Sequence, residues 1–245
     1  MFAEFLRLSD AYGIPVTFAI VAHVAIADCA SHREPPRFEP RWLGEDWFAV
    51  DPRSSLERDT NYYGLDLVQE ILSSERRHEI ASHGFSHVDL ADDTTTPEVA
   101  AYEISESSRI LRRLDDQLTT FVFPNNRPAF VNLVKDAGFT IYRNDVNGEI
   151  ERDAAGLWKF PRGLWLSPLM CSPREMIELV GVAVRQRRLV NVWCHLHEFG
   201  SGDVLRGFLE PVFGCVERSR RKGFLRVDTM RGIVAVHSEL THGDA

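Results

Sequence analysis

Residues 78–87 read His78-Glu-Ile-Ala-Ser-His-Gly-Phe-Ser-His87, and the fold is decided in this stretch. His78–Ser82 (HEIAS) is short, apolar at its centre and bounded by charge, which predicts a strand ending at His83. His83 and His87 are four residues apart. A helical turn over 83–87 would put their Cβ atoms about 5–6 Å apart on one face. Two neutral imidazoles there can meet a divalent ion, at about 2.0–2.1 Å if it is zinc. Alone, a pair with this spacing is as readily two surface or core histidines. Its position directly after a strand makes it a candidate metal site. His78, just before the strand, is expected to be exposed.

Outward from this stretch, strand and helix patterns alternate along the chain. Residues 2–11 predict an amphipathic helix that Gly13 stops. Pro15–Val21 is a continuously apolar strand suited to burial on both faces. Helices are predicted at 65–73, 97–114, 128–137, 173–186 and 203–221. Further strands are expected at Thr120–Phe123, Phe139–Tyr142, Leu189–His195 and Phe224–Val227. Residues 31–62, rich in Pro, Arg, acidic and aromatic residues, interrupt the alternation as a long insertion of the kind that forms lids or binding walls. The whole pattern implies one parallel α/β domain over 1–245, and a (β/α) barrel is the expected form. Neither a G-x-G-x-x-G nor a P-loop is present, which weighs against a nucleotide-binding sheet.

In such barrels chemistry gathers at the C-terminal ends of strands. Here His83 and His87 follow one strand, Pro124, Asn125, Asn126 and Arg127 a second, and His195 and His197 a third. Arg127 reads more readily as a surface ion-pair partner than as an orienting group. His23, His32, His237 and His242 show no partner pattern and are taken as structural or solvated.

Bulk composition narrows the function classes. The 245 residues carry a net charge of −8 and no long basic run, so nucleic acid is not an expected partner. The four cysteines form no C-x-x-C pair, and free buried thiols are expected. Neither a secretory leader nor a membrane span is read from the chain, so the expected compartment is cytoplasmic. Oligomeric state is not legible.

The segment Glu79–His87 resembles the second motif of the polysaccharide deacetylases, also called the NodB homology domain. Gly84 stands where that motif commonly has Ser or Thr. Tyr12-Gly-Ile-Pro-Val-Thr-Phe18 resembles the family's early strand, and Phe121-Val-Phe-Pro-Asn-Asn126 a strand-end motif. Trp193-Cys-His195 resembles the late histidine motif, and Gly223–Met230 the closing strand. The resemblance implies a distorted (β/α)7-type barrel and a metal-dependent hydrolase that removes N- or O-acetyl groups from carbohydrate. It makes His83 and His87 ligands of a divalent ion, with zinc the expected one. His195 becomes the general acid, and the backbone near Ser86, with Pro124, Asn125, Asn126 and Trp193, lines the substrate site.

The family's first motif, two aspartates supplying the base and the third ligand, precedes the Tyr-Gly-Ile-Pro strand. The chain begins at the helix leading into that strand, so the first strand and its motif are expected to be missing. A misplaced start or truncation is the favoured reason. The alternative is a natural variant in which Asp51 or Asp59 substitutes. Two other functions compete with the deacetylase: a non-catalytic carbohydrate-binding relative with Trp42, Trp47 and Trp193 as stacking groups, and an amidohydrolase acting on a small cyclic amide.

Overall fold

A computed structural model of the chain describes residues 1–91 and 95–242; the side chains of Thr241 and His242 lie outside what is described. Helix α1 (Phe2–Tyr12) leads into strand β1 (Thr17–Ile20), followed after the insertion by α2 (Leu65–Ser73) and β2 (Glu79–Ser82). Next come α3 (Pro97–Leu111), β3 (Thr120–Val122), α4 (Val131–Asp136) and β4 (Ile141–Arg143). The remainder holds β5 (Glu151–Arg152), β6 (Trp158–Phe160), β7 (Leu164–Trp165), α5 (Pro173–Gln186), β8 (Val192–Trp193), α6 (Gly202–Arg221) and α7 (Met230–His242).

The main sheet has the order β1-β2-β3-β4-β6-β5, parallel throughout except for β5 against β6. Strands β7 and β8 pair only with each other. The expected parallel α/β architecture is therefore present, but among the described residues the strands form an open sheet and a separate ladder rather than one closed barrel.

Side-chain alternation along the strands builds two cores, one on each face of the sheet. Ile80, Phe121 and Tyr142 pack with Val68 and Ile71 of α2, Ile104 and Leu111 of α3 and Val134 of α4. Their neighbours Ala81, Val122 and Ile141 face the other way, against Trp158, Phe160 and two residues of α7, Met230 and Val234. The buried Glu79 pins the lower edge: it accepts from Thr17 Oγ1 at 2.7 Å, Thr120 Oγ1 at 2.5 Å and the Arg231 N–H at 3.0 Å. One carboxylate thus ties β1, β3 and the start of α7.

On the helical side, Phe5 and Leu8 of α1 pack with Phe208, Leu209 and Val212 of α6. Gly13 ends α1 at φ 61°, a left-handed conformation that glycine adopts without steric cost. Arg220 of α6 donates to the Gly13 carbonyl at 2.5 Å.

Four expectations change. Phe224–Val227 is not a strand; Phe224 is 63% exposed, and α7 follows instead. Leu189–His195 shrinks to Val192–Trp193, and Val192 is exposed, because this segment has only β7 to pair with. His78 is buried, not exposed: Nδ1 accepts the Val16 N–H at 3.2 Å while Nε2 lies 3.2 Å from Asp10. The four cysteines are free but only partly buried.

The insertion runs without long regular elements and is anchored by side chains. Glu106 on α3 accepts from the Arg33 N–H at 2.9 Å and its Nε at 2.5 Å, and from Arg109. Phe38 is buried, Trp47 and Phe48 are half-buried against the main core, and Trp42 is exposed at the surface. No described helix is long and apolar enough to cross a membrane.

Candidate active site

The histidine segment leaves β2 as a loop, not as the helical turn that the spacing suggested. Gly84 and His87 sit at φ 78° and 68°, and the two imidazoles meet edge-to-face with centroids 4.7 Å apart. The departure at Gly84 has a local reason. Its backbone is left-handed, and a Cβ there would lie 3.2 Å from Glu103 Oε2.

Glu103, fully buried on α3, holds this loop in shape. It accepts from the Phe85 and Ser86 N–H groups, both at 2.9 Å, and from Ser86 Oγ at 2.5 Å. Burial pushes its carboxyl up to about 7, against the pull of these donors. Ser86 Oγ also accepts from Trp47 Nε1 at 3.0 Å. Both Ser86 donors are therefore taken, and its backbone and hydroxyl help to shape the loop.

The His83 Nδ1–H donates to the Val122 carbonyl at 2.7 Å, which leaves Nε2 as the free lone pair. Burial, with the neighbouring His87 next in weight, pushes the His83 pKa down to about 3. Burial also lowers that of His87. Two neutral nitrogen donors, one oriented by a backbone carbonyl, fit a borderline ion such as zinc. Among the described residues, no carboxylate forms a three-ligand group with them. Asp89 is engaged by Arg127 at 2.8 Å. Asp51, weighed as a substitute ligand, lies instead beside Cys29 and His23, and Asp59 does not join the pair either.

The other strand ends converge on the same place. After β3, Pro124 is buried, and Asn125 and Asn126 are both left-handed at φ 55° and 54°. Such conformations cost about 1–3 kcal/mol each and persist where the surroundings hold them. Asn126 Oδ1 accepts from Arg143 at the end of β4, at 2.5 Å. Arg143 lies over the Trp193 ring at 5.1 Å, and its charge weighs on His83. Burial, with Arg162 second, lowers the Arg143 pKa to about 10, and its Nε is buried without an acceptor. Trp193 stacks on Trp165 with centroids 5.7 Å apart and the planes 6° from parallel.

His195 is half-exposed and donates Nδ1–H to Glu198 at 2.9 Å, leaving Nε2 free. It packs edge-on against Trp193 with centroids 5.5 Å apart, on the ring that Arg143 faces, and its influence reaches both His83 and His87 electrostatically. Glu198 also accepts from Trp165 Nε1 at 2.9 Å. Burial works against its ionised form, but the bonds from His195 and Trp165 hold its pKa below the usual carboxylate range. His197 stacks on His195 at 5.4 Å. Arg127 is half-exposed and spends itself on Asp89 and the Ala91 carbonyl, a structural role.

Glu103, Arg143, Trp165 and Glu198 were not read as site residues. Arg143 directly follows the expected strand Phe139–Tyr142, so the strand-end rule that found the histidines also reaches it.

Two comparisons bear on this arrangement. A family model described as polysaccharide deacetylase matches residues 1–142. No curated protein matches the chain.

Proposed function

Because the chain belongs to the polysaccharide deacetylase family, we propose that it is a metal-dependent hydrolase releasing acetate from an N- or O-acetylated carbohydrate, with His83 and His87 as ligands and His195 as general acid. The observations that carry this reading are the edge-to-face pair of His83 and His87 after β2 and the Arg143 guanidinium lying over Trp193, whose ring packs edge-on against His195 after β8. A divalent ion on His83 and His87 supplies Lewis acidity toward an acetyl carbonyl and makes water more acidic.

The chain's own groups account for the rest. His195, with Nε2 free as a lone pair, would take the proton that the attacking water sheds and pass it from Nε2 to the departing amine or alkoxide. Glu198 fixes the ring through Nδ1, keeps the tautomer and stabilises the protonated imidazole. Arg143 and Asn126 offer a buried cation and an amide beside the pair, suited to an oxyanion or the released acetate. Trp165 offers a partly exposed indole on which a sugar ring can stack.

The test is acetate release from acetylated glycans of defined linkage, together with metal analysis. Wild type should release acetate and hold a divalent ion that His83→Ala loses. An unchanged metal content in both His83→Ala and His87→Ala, after accounting for other sites, rules the assignment out. One observation favours a second reading. With no carboxylate completing a three-ligand group with His83 and His87 among the described residues, a carbohydrate-binding relative would bind the same glycans with no acetate released.

A further inference from the structure

His23, Cys29, His32 and Asp51 gather where His23 and His32 pack on Phe85 of the histidine loop, and each offers a ligand atom within 4.8 Å of the others. We propose that these four residues bind a zinc ion that clips the 31–62 insertion to the His83–His87 loop.

Distances support coordination. Tetrahedral zinc, at about 2.3 Å from sulfur and 2.0–2.1 Å from nitrogen, separates its ligands from one another by about 3.3–3.6 Å. Cys29 Sγ lies 3.5 Å from His23 Nε2, 3.4 Å from His32 Nε2 and 3.3 Å from Asp51 Oδ2. His23 Nε2 is 3.4 Å from the same Asp51 oxygen. Four of the six ligand–ligand edges thus have tetrahedral length.

The outer partners are those a zinc site takes. His32 donates Nδ1–H to the Arg33 carbonyl at 2.6 Å, which aims Nε2 inward. Asp51 Oδ1 accepts the Arg53 N–H at 2.9 Å, leaving Oδ2 for the ion. The Tyr63 hydroxyl accepts the Ser54 N–H at 3.0 Å and bonds the Cys29 sulfur. A cavity of about 270 Å³ bordered by Cys29, His32 and Asp51 gives the ion an entry path. One thiolate, two imidazoles and one carboxylate form a four-donor set that suits zinc and leaves no open position, as in structural sites.

His23 and Cys29 sit in short 3-10 turns just before the insertion and His32 and Asp51 lie within it, so an ion held by all four would close a long loop, where a cross-link confers the most stability. Phe85 packs on both His23 and His32, with ring centroids 5.3 and 5.0 Å away. The backbone joins the two loops as well: Ala22 and His23 N–H groups donate to the Gly84 and Phe85 carbonyls, both at 2.9 Å. The clip therefore backs the loop that carries the other histidine pair.

Cobalt substitution of the full-length protein separates the two sites, since only this one contains a thiolate. A sulfur-to-cobalt charge-transfer band in the near ultraviolet is expected in wild type and in the His83→Ala/His87→Ala double variant. It should vanish in Cys29→Ser. Zinc affinity in Cys29→Ser and His32→Ala should fall by more than the 10–100-fold that loss of an outer partner costs. If a variant fails to fold, chelation of wild type replaces it: trypsin should then cut the arginine-rich insertion, and one equivalent of zinc should restore protection. Absence of the band in wild type, its persistence in Cys29→Ser, or an insertion equally resistant with and without chelator overturns the proposal.

Discussion

The molecule carries two histidine clusters that meet at one loop, and they are built by opposite means. His83, His87 and His195 stand at the ends of strands, and the surrounding sheet fixes where they can be. His23, Cys29, His32 and Asp51 come from a segment with almost no regular structure, where the side chains themselves hold the backbone in place. The first arrangement leaves room for a ligand beside a half-exposed imidazole. The second offers four donors to one point and encloses it. Position in the fold thus separates a cluster placed by strand ends from one whose own side chains hold its backbone, although both use imidazole.

Exchanging the damage between the clusters gives the largest expected effect. His83→Ala should reduce acetate release to background and leave the cobalt–thiolate band intact. Cys29→Ser should remove the band, and activity should fall only as far as the histidine loop loosens. Paired acetate assays and spectra check this, and loss of both signals in both variants would merge the two sites into one. Next in size, His195→Ala should lower the rate by about 10²–10⁴ with metal content unchanged, as for loss of a general acid. A parallel loss of metal would make His195 a ligand instead.

A smaller effect is expected where the two clusters share a backbone. Gly84→Ala forces a left-handed alanine against Glu103, and should cost about 1–3 kcal/mol. At about 2–4 °C per kcal/mol for a protein of this size, thermal unfolding will show it. An unchanged melting temperature would mean that the loop is slack.

The smallest effect is a pH dependence of the insertion's anchor. Burial of Glu106 opposes its charge, but Arg109 and Arg33 outweigh this and hold its pKa at about 2, against an ordinary 4.5. Its stabilisation is complete above the ordinary value and is lost as pH falls from about 4.5 toward 2. The melting-temperature gap between wild type and Glu106→Gln should therefore close over that window. A gap that stays constant would show that the pairing is not ionic.

The same contrast explains what could be read from the sequence. Elements that carry their own pattern were legible: α2 and α5 have their expected bounds, and β2 ends at His83. The histidine pair and His195 were legible because a strand precedes each. The second cluster was not, since Asp51 is far along the chain from His23 and no periodic pattern joins them; only the Cys29-x-x-His32 spacing hinted at it. Glu103 was hidden for another reason. A glutamate in a helix looks solvated, and only the loop's unpaired N–H groups require it to be buried. Phe224–Val227 failed in the opposite direction, because an apolar run of strand length makes a strand only where a neighbouring strand has hydrogen bonds to share.

The two left-handed asparagines after Pro124 have a consequence for anyone engineering heat resistance into this protein. Glycine at Asn125 or Asn126 would relieve backbone strain, so a stability screen would tend to select it. At Asn126 that choice would also delete the amide that receives the buried Arg143, and the orphaned donor would offset the strain relieved. Two neighbouring positions with the same left-handed backbone thus differ in what a substitution there would cost.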